Sequence, residues 1–390
     1  MRKIIQTIFS IGALAFFTYL FTFFMDGSMG IILIVFFVTA PIISFALAVS
    51  SRKRIKISLK CDSYVNKNNT IKVKVKVEKT GKLPLSVIEI VPEVSEVFDK
   101  MDKTFRLSMF TDESTEFSFD VRGRVGGNGS ISIKKVYSCG FLGFMRLKAK
   151  GVLPEPVSVG VVPEIPDIKS SSQLFMSIAD VVFTSDDEEE SDTSMLFSAN
   201  TSPGYEHREY VEGDPLKRVN WKLSSKKNKL MVRLDEAASS VQPLIVLDLY
   251  RKTGASAEYA VITEEKIIRS VFGLVTLLVK QGIACDFAYY GTGGDMVVET
   301  VDNPEYPAQL LLKVLAVKVT EGRRIDLRGM MNDVCACLIA TTDAGSELAA
   351  VTDVIEDREN TSILGVSAES VNATGLKFWY LDEDENFKMV

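Results

Sequence analysis

Leu244-Ile245-Val246-Leu247-Asp248-Leu249 is an apolar run broken by one carboxylate, preceded by Gln242-Pro243 and followed by Tyr250-Arg251-Lys252. A run this short and continuous reads as a strand buried on both faces, as at the centre of a parallel sheet. The rhythm beyond it alternates strand and helix. Glu264 to Gln281 places Ile267, Ile268, Val271, Leu274, Val275 and Leu278 on one side of a helix. Cys285–Tyr290 and Met296–Thr300 read as strands, Tyr306–Val319 as a helix and Val334–Thr341 as another buried strand. Glu347–Arg358 reads as a helix, Ser362–Val366 as a strand and Lys377–Leu381 as the last strand. Helical crossovers between apolar strands predict a largely parallel sheet covered on both faces.

Upstream lies the densest stretch of charge, aromatics and turn residues in the chain. It runs from Gly204-Tyr205-Glu206-His207-Arg208-Glu209-Tyr210 through Gly213-Asp214-Pro215, Arg218-Val219 and Trp221 to Leu230-Met231-Val232-Arg233. Asp214 suits a helix cap and Pro215 a first helical position, so a short helix to about Ser225 is expected. On it Leu216, Val219 and Leu223 share one side, and Trp221 lies near the opposite side with Arg218 and Ser225. Trp221 then packs on a neighbouring domain or anchors another protein. Arg208 and Glu209 form either an internal ion-pair clamp or a recognition surface. Interleaved Glu206, Glu209, Glu212 and Asp214 dilute the basic field of Lys217, Arg218, Lys222 and Arg233. With a net charge of -6, this argues against nucleic acid as a partner.

Toward the N-terminus, Ile71, Val73, Val75 and Val77 alternate with Lys72, Lys74, Lys76 and Glu78. Phe117 and Phe119, then Ile131 and Ile133, repeat that period of two, which predicts a small antiparallel β-sandwich. Ser185-Asp186-Asp187-Glu188-Glu189-Glu190-Ser191-Asp192 reads as a self-repelling, solvated linker. At the start of the chain, Ile4 to Met25 and Met29 to Val49 are each long and apolar enough to cross a bilayer, joined around Asp26-Gly27-Ser28. A transmembrane hairpin is expected in preference to a cleaved secretory signal, because no small-residue cleavage site precedes Asp26. Arg2 and Lys3 before it, with Arg52, Lys53, Arg54 and Lys56 after it, place both ends in the cytoplasm. The 5 scattered cysteines, Cys61, Cys139, Cys285, Cys335 and Cys337, fit that reducing compartment and lack metal-ligand spacing.

The segment Arg208-Glu209-Tyr210, Gly213-Asp214, Arg218-Val219, Trp221 and Leu230-Met231-Val232-Arg233 resembles the signature of the domain of unknown function 58 family. Arg122-Gly123 and Ser138-Cys139-Gly140-Phe141-Leu142-Gly143-Phe144 are similar to two further elements of that family, with Cys139 and Gly140 in place of its usual Asp-Pro. The resemblance covers most of the chain and is strongest from Gly204 to Leu249. It implies a von Willebrand factor A-like domain after the signature. It also implies partnership with a MoxR-type AAA+ ATPase and with a transglutaminase-like membrane protein; no catalytic activity is established for the family.

Von Willebrand factor A-like domains often hold a divalent cation through an Asp at the end of the first strand, two Ser residues just beyond it and a later Asp. Asp248 matches the first position and Thr342-Asp343-Ala344-Gly345 resembles the later loop, but Tyr250 and Lys252 stand where the hydroxyls belong. An ammonium group there repels a cation and removes a ligand, so no metal and no cofactor are expected, with Lys252 between Asp248 and Asp343. His207 is the only histidine, without a nearby cysteine, and the chain has neither a phosphate-binding Gly-Lys-Ser/Thr loop nor a dinucleotide fingerprint.

The expected architecture is therefore a transmembrane helical hairpin (1–54), a β-sandwich (55–166), a linker with the acidic run (167–203) and the signature segment (204–243). A doubly wound von Willebrand factor A-like α/β domain (244–390) completes it. The expected role is that of a noncatalytic, membrane-anchored cytoplasmic adaptor whose partners approach the carboxyl ends of the strands, near Asp248, Lys252 and Asp343. The alternative is a divalent-metal-dependent ligand-binding protein.

Overall fold

The computed structural model describes residues 12–390 except 14, 21, 25–26, 82, 110–111, 144, 152, 190–201, 211–220, 228, 237–241, 331–333 and 354. The chain divides into two compact units. The first comprises Met1–Glu164, Arg251–Arg269 and Leu310–Glu321, and the second Ile165–Tyr250, Ser270–Gln309 and Gly322–Val390.

In the first unit, helix α1 (Gly27–Ser51) contains one apolar segment, Ile31–Ser51, of 21 residues. At about 1.5 Å per residue it matches a hydrocarbon core of ~30 Å. It leads into the sandwich. One antiparallel sheet has the order β1 (Ile55–Lys60), β3 (Thr70–Lys79), β6 (Ser114–Arg122). The other has the order β2 (Tyr64–Asn66), β9 (Val157–Val162), β7 (Gly127–Cys139), β4 (Leu85–Val94), β5 (Phe105–Met109), with β8 (Arg146–Lys148) added to β7. The alternation of β3 sends Ile71, Val73, Val75 and Val77 into one core with Leu85, Ile88, Ile90, Ile131 and Val159 from the other sheet, leaving Lys72 and Lys74 in solvent. Period-two patterning thus produces two half-buried sheets closed on each other.

The second unit is built on a sheet of order β14 (Met296–Val301), β13 (Cys285–Tyr290), β12 (Gln242–Asp248), β15 (Val334–Thr341), β16 (Thr361–Gly365), β17 (Lys377–Leu381), β18 (Phe387–Met389). The pairs from β13 to β17 are parallel, whereas β14 and β18 pair antiparallel at the two edges. Helices α2 (Gln173–Glu189), α3 (Trp221–Lys227), α4 (Ala257–Lys280), α5 (Tyr306–Ala316) and α6 (Ser346–Thr352) follow along the chain. A separate hairpin pairs β10 (Ser202–Glu209) with β11 (Met231–Glu236).

These observations correct the expected fold. The hairpin followed by a sandwich and a doubly wound von Willebrand factor A-like domain gives way to a strand-rich, mixed architecture. Among the described residues it has one helix long and apolar enough to span a membrane. Within the expected first span, Ile4–Met25, residues 4–11, 14, 21 and 25 lie outside the described residues, and Ala15–Phe24 is an apolar helix. The large sheet is mixed because short turns, 291–295 and 382–386, precede β14 and β18. A connection that short returns a strand antiparallel, since a parallel crossover needs a dozen or more residues. The acidic stretch read as linker begins inside α2 at residues 185–189; its remainder lies outside the described residues.

Candidate functional site at the carboxyl ends of the parallel strands

Strands β12 and β15 run side by side in parallel and end together, Asp248 opposite Thr341. The apolar run buries its own carboxylate: Asp248 is 1% exposed. A buried carboxylate needs a counter-charge and hydrogen bonds, and three groups converge on this one. The Thr341 hydroxyl donates to Oδ2 at 2.8 Å, Arg324 Nη1 donates to the same oxygen at 2.5 Å, and the Ile325 amide donates as well. Burial pushes the Asp248 carboxyl above the usual carboxylate range, while the Arg324 guanidinium and these hydrogen bonds pull it back.

Arg324 has a second carboxylate. Its Nη2 donates to Asp343 Oδ2 at 2.9 Å, and Asp343 is partly open to solvent. The guanidinium lies over the Tyr250 ring, 3.7 Å from its centroid, a cation–π arrangement that favours Arg over Lys. Its main chain is held too, because the Tyr290 hydroxyl donates to Arg324 O at 2.6 Å. Tyr250 donates its hydroxyl to Glu347 in the first turn of α6, and this bond raises the phenol pKa. Thr342 Oγ1 donates to Tyr250 O at 2.5 Å, tying the two strand ends together. The result is a closed cluster: a deep Asp248, a bridging Arg324 and a more open acidic rim of Asp343 and Glu347.

This geometry corrects the expected role of Lys252. Lys252 is exposed, and the cation between Asp248 and Asp343 is Arg324. A divalent ion drawing on both carboxylates would have to displace a guanidinium already hydrogen-bonded to each, which opposes the metal-binding alternative. Among the described residues no group of 3 or more His, Cys, Asp or Glu side chains converges to hold an ion. Arg324, Thr341 and Glu347 escaped the sequence reading. Arg324 sits 76 positions from Asp248, in a segment without helical or strand periodicity, so no local signal pairs them.

The signature segment divides. Arg208 and Glu209 lie in β10, opposite Val232 and Met231 of β11, and Arg233 pairs with His207. Tyr210, half-buried, continues the hairpin through its amide, which donates to Leu230 O at 2.8 Å. Trp221 opens α3, and the buried Ser224 hydroxyl of that helix accepts the Met231 amide at 2.8 Å, joining helix to hairpin. Gly213, Asp214 and Arg218, with the expected helix start, lie outside the described residues. The hairpin forms its own sheet, apart from the strands that carry Asp248 and Thr341.

Cys61, Cys139, Cys285 and Cys337 are poorly placed for covalent chemistry. Burial pushes the Cys285 and Cys337 thiols up to about 12, and burial also raises Cys61 and Cys139. Thiols so shifted hold little thiolate at neutral pH.

No family model and no curated protein matches the chain. Solved structures resemble parts of it. The CARDB domain of a Pyrococcus furiosus protein, in complex with di-metal ions, aligns at 16% identity and TM-score 0.23, over 28% of this chain and 94% of that one. A cohesin module from a Clostridium perfringens family 33 glycoside hydrolase aligns at 9% identity and TM-score 0.24, over 29% of this chain and 99% of the module. Native alpha-2-macroglobulin from Escherichia coli aligns at 14% identity and TM-score 0.25, over 30% of this chain and 18% of that one.

Proposed function

We propose that the protein is a membrane-anchored, noncatalytic adaptor whose soluble units lie on the cytoplasmic side and work by docking other proteins. The observation that carries this reading is the Arg324 bridge. The strand ends, where open sheets commonly receive ligands, are closed by an internal guanidinium and rimmed by Asp343 and Glu347. Such a rim offers charge for recognition, with neither an open metal position nor an activated thiol. Anchoring is supported by the apolar Ile31–Ser51 segment, and a cytoplasmic orientation by the basic Arg52, Lys53, Arg54 and Lys56 just after it. The resemblance of the signature to the domain of unknown function 58 family suggests the partner, a MoxR-type AAA+ ATPase, with a transglutaminase-like membrane protein as a further candidate.

Crosslinking of the full chain in native membranes, followed by mass spectrometry, tests this. Recovery of an AAA+ ATPase, reduced by Trp221→Ala, is the expected outcome. Failure to recover an AAA+ ATPase, or recovery undiminished by Trp221→Ala, would contradict it.

A further inference from the structure

The end of α1 does not hang from the sandwich by a flexible tether. Ser44, Ala48 and Ser51 recur at one helical face, and all three are buried. Ser51 Oγ accepts the Ser86 amide of β4 at 3.1 Å, the Ser86 and Ser138 hydroxyls meet at 2.8 Å, and Ser138 Oγ of β7 donates to Ala48 O at 2.9 Å. Arg54 Nη1 donates to Leu83 O at 2.8 Å, and the Lys150 amide donates to Arg52 O at 2.8 Å. Buried serines satisfied by one another and by the helix backbone fix the helix against β4 and β7.

That fixed contact determines where the β7–β8 turn points. Ser138 meets the helix at Ala48, and two residues later Gly140 meets it at Ser44, so β7 runs along α1 toward the bilayer side. A Cβ at Gly140 would lie 2.7 Å from Ser44 Oγ, and the Leu142 amide is 3.5 Å from that oxygen. The turn closes through Gly140 N to Met145 O at 3.1 Å, with Gly143 at φ 74. Ser44 precedes the end of the apolar segment by about 10 Å of helix at 1.5 Å per residue. With that segment spanning the hydrocarbon core, the turn reaches about 10 Å below its cytoplasmic boundary, the deep end of the range for interfacial insertion, and it presents Leu142 and Met145, 44% and 42% exposed, there. Lys53, Lys148 and Lys150, all exposed, flank it at the height of anionic headgroups.

We propose that the β7–β8 turn is a second membrane contact, with Leu142 and Met145 inserted into the interface of an anionic bilayer beside α1. Exposed apolar side chains rimmed by basic ones favour such a surface, and burial of about 5–10 Å is usual for interfacial segments. The helix supplies proximity, so the turn needs no large affinity of its own. This orients the sandwich on the membrane.

The inference rests on α1 crossing the bilayer, so the test separates the two. The full chain is placed in nanodiscs of phosphatidylcholine and phosphatidylglycerol carrying bromine near the top of the acyl chains. The emission added by Leu142→Trp, and independently by Met145→Trp, is read against the parent. Quenching of the added emission by roughly half, with a blue shift, is expected for an interfacial residue. Ser130→Trp, about 30 Å back along β7 from its turn end at ~3.3 Å per residue, stays unquenched. Phe36→Trp in α1 reports the span through deep-chain bromines. Quenching at Phe36→Trp without quenching at either turn position overturns this inference alone. Absence of quenching at Phe36→Trp overturns the anchor and the inference together.

Discussion

At the residue scale, the cluster at the strand ends depends on one guanidinium. Arg324→Ala leaves Asp248 buried with a single hydroxyl and an amide for company, and breaking a buried pair in this way costs about 3–5 kcal/mol. Thermal melting of the full chain in detergent is expected to show a clear drop for the variant. Pairing it with Asp248→Asn should recover part of the loss, because no buried charge is then stranded. The pH dependence has a defined sign. Removing the guanidinium raises the Asp248 pKa in the folded state still further above its unfolded value near ~3.9. The variant's deficit is therefore smallest below that value and grows as pH rises through the folded-state pKa. A deficit equal at acid and neutral pH would show that Arg324 acts by packing alone. Asp248 and Asp343 were singled out by their match to positions of the von Willebrand factor A-like pattern. Arg324 was not, and Lys252 stood in its place because it occupies a hydroxyl-ligand position of that pattern, whereas no local signal links Arg324 to Asp248.

At the element scale, what could be read were continuous apolar strands bounded by turn residues. The structure has β13, β15 and β17 at Cys285–Tyr290, Val334–Thr341 and Lys377–Leu381, the bounds expected from the sequence. Helix ends were less legible. Helix α4 starts at Ala257 in place of Glu264 because its first turns carry exposed Tyr259 and Ile262, which blur the apolar stripe. Helix α6 stops at Thr352, short of the expected Arg358. Strand β18 went unread because it has too few residues for a periodic signal, and α2 because its acidic end masks an apolar start in which Leu174, Phe175 and Ile178 are buried. Register within the sheet also carries a sharp requirement. Gly365 ends β16 beside β17, and a Cβ there would lie 2.1 Å from the Phe378 ring. Gly365→Ala must shift a buried aromatic, so melting should show a loss of about 1–3 kcal/mol. Gly365→Ala combined with Phe378→Leu should recover part of it, and an unchanged melting curve for the single variant would show that the strand ends repack freely.

At the scale of the whole molecule, the parallel centre of the large sheet followed from helices between apolar strands, whereas its antiparallel edges follow from turn length, which strand prediction ignores. The sandwich was legible because alternating Val and Lys in β3 leaves few alternatives. A helix long and apolar enough to span a membrane was legible in the Ile31–Ser51 segment, while the serines that fasten its end to β4 and β7 have no sequence signature. The proposed adaptor requires both soluble units to face the cytoplasm. Protease protection on oriented native membrane vesicles tests that requirement most directly. Digestion of the bulk of the chain in inverted vesicles, and its protection in spheroplasts, is the predicted result. Protection in inverted vesicles with digestion in spheroplasts would contradict it.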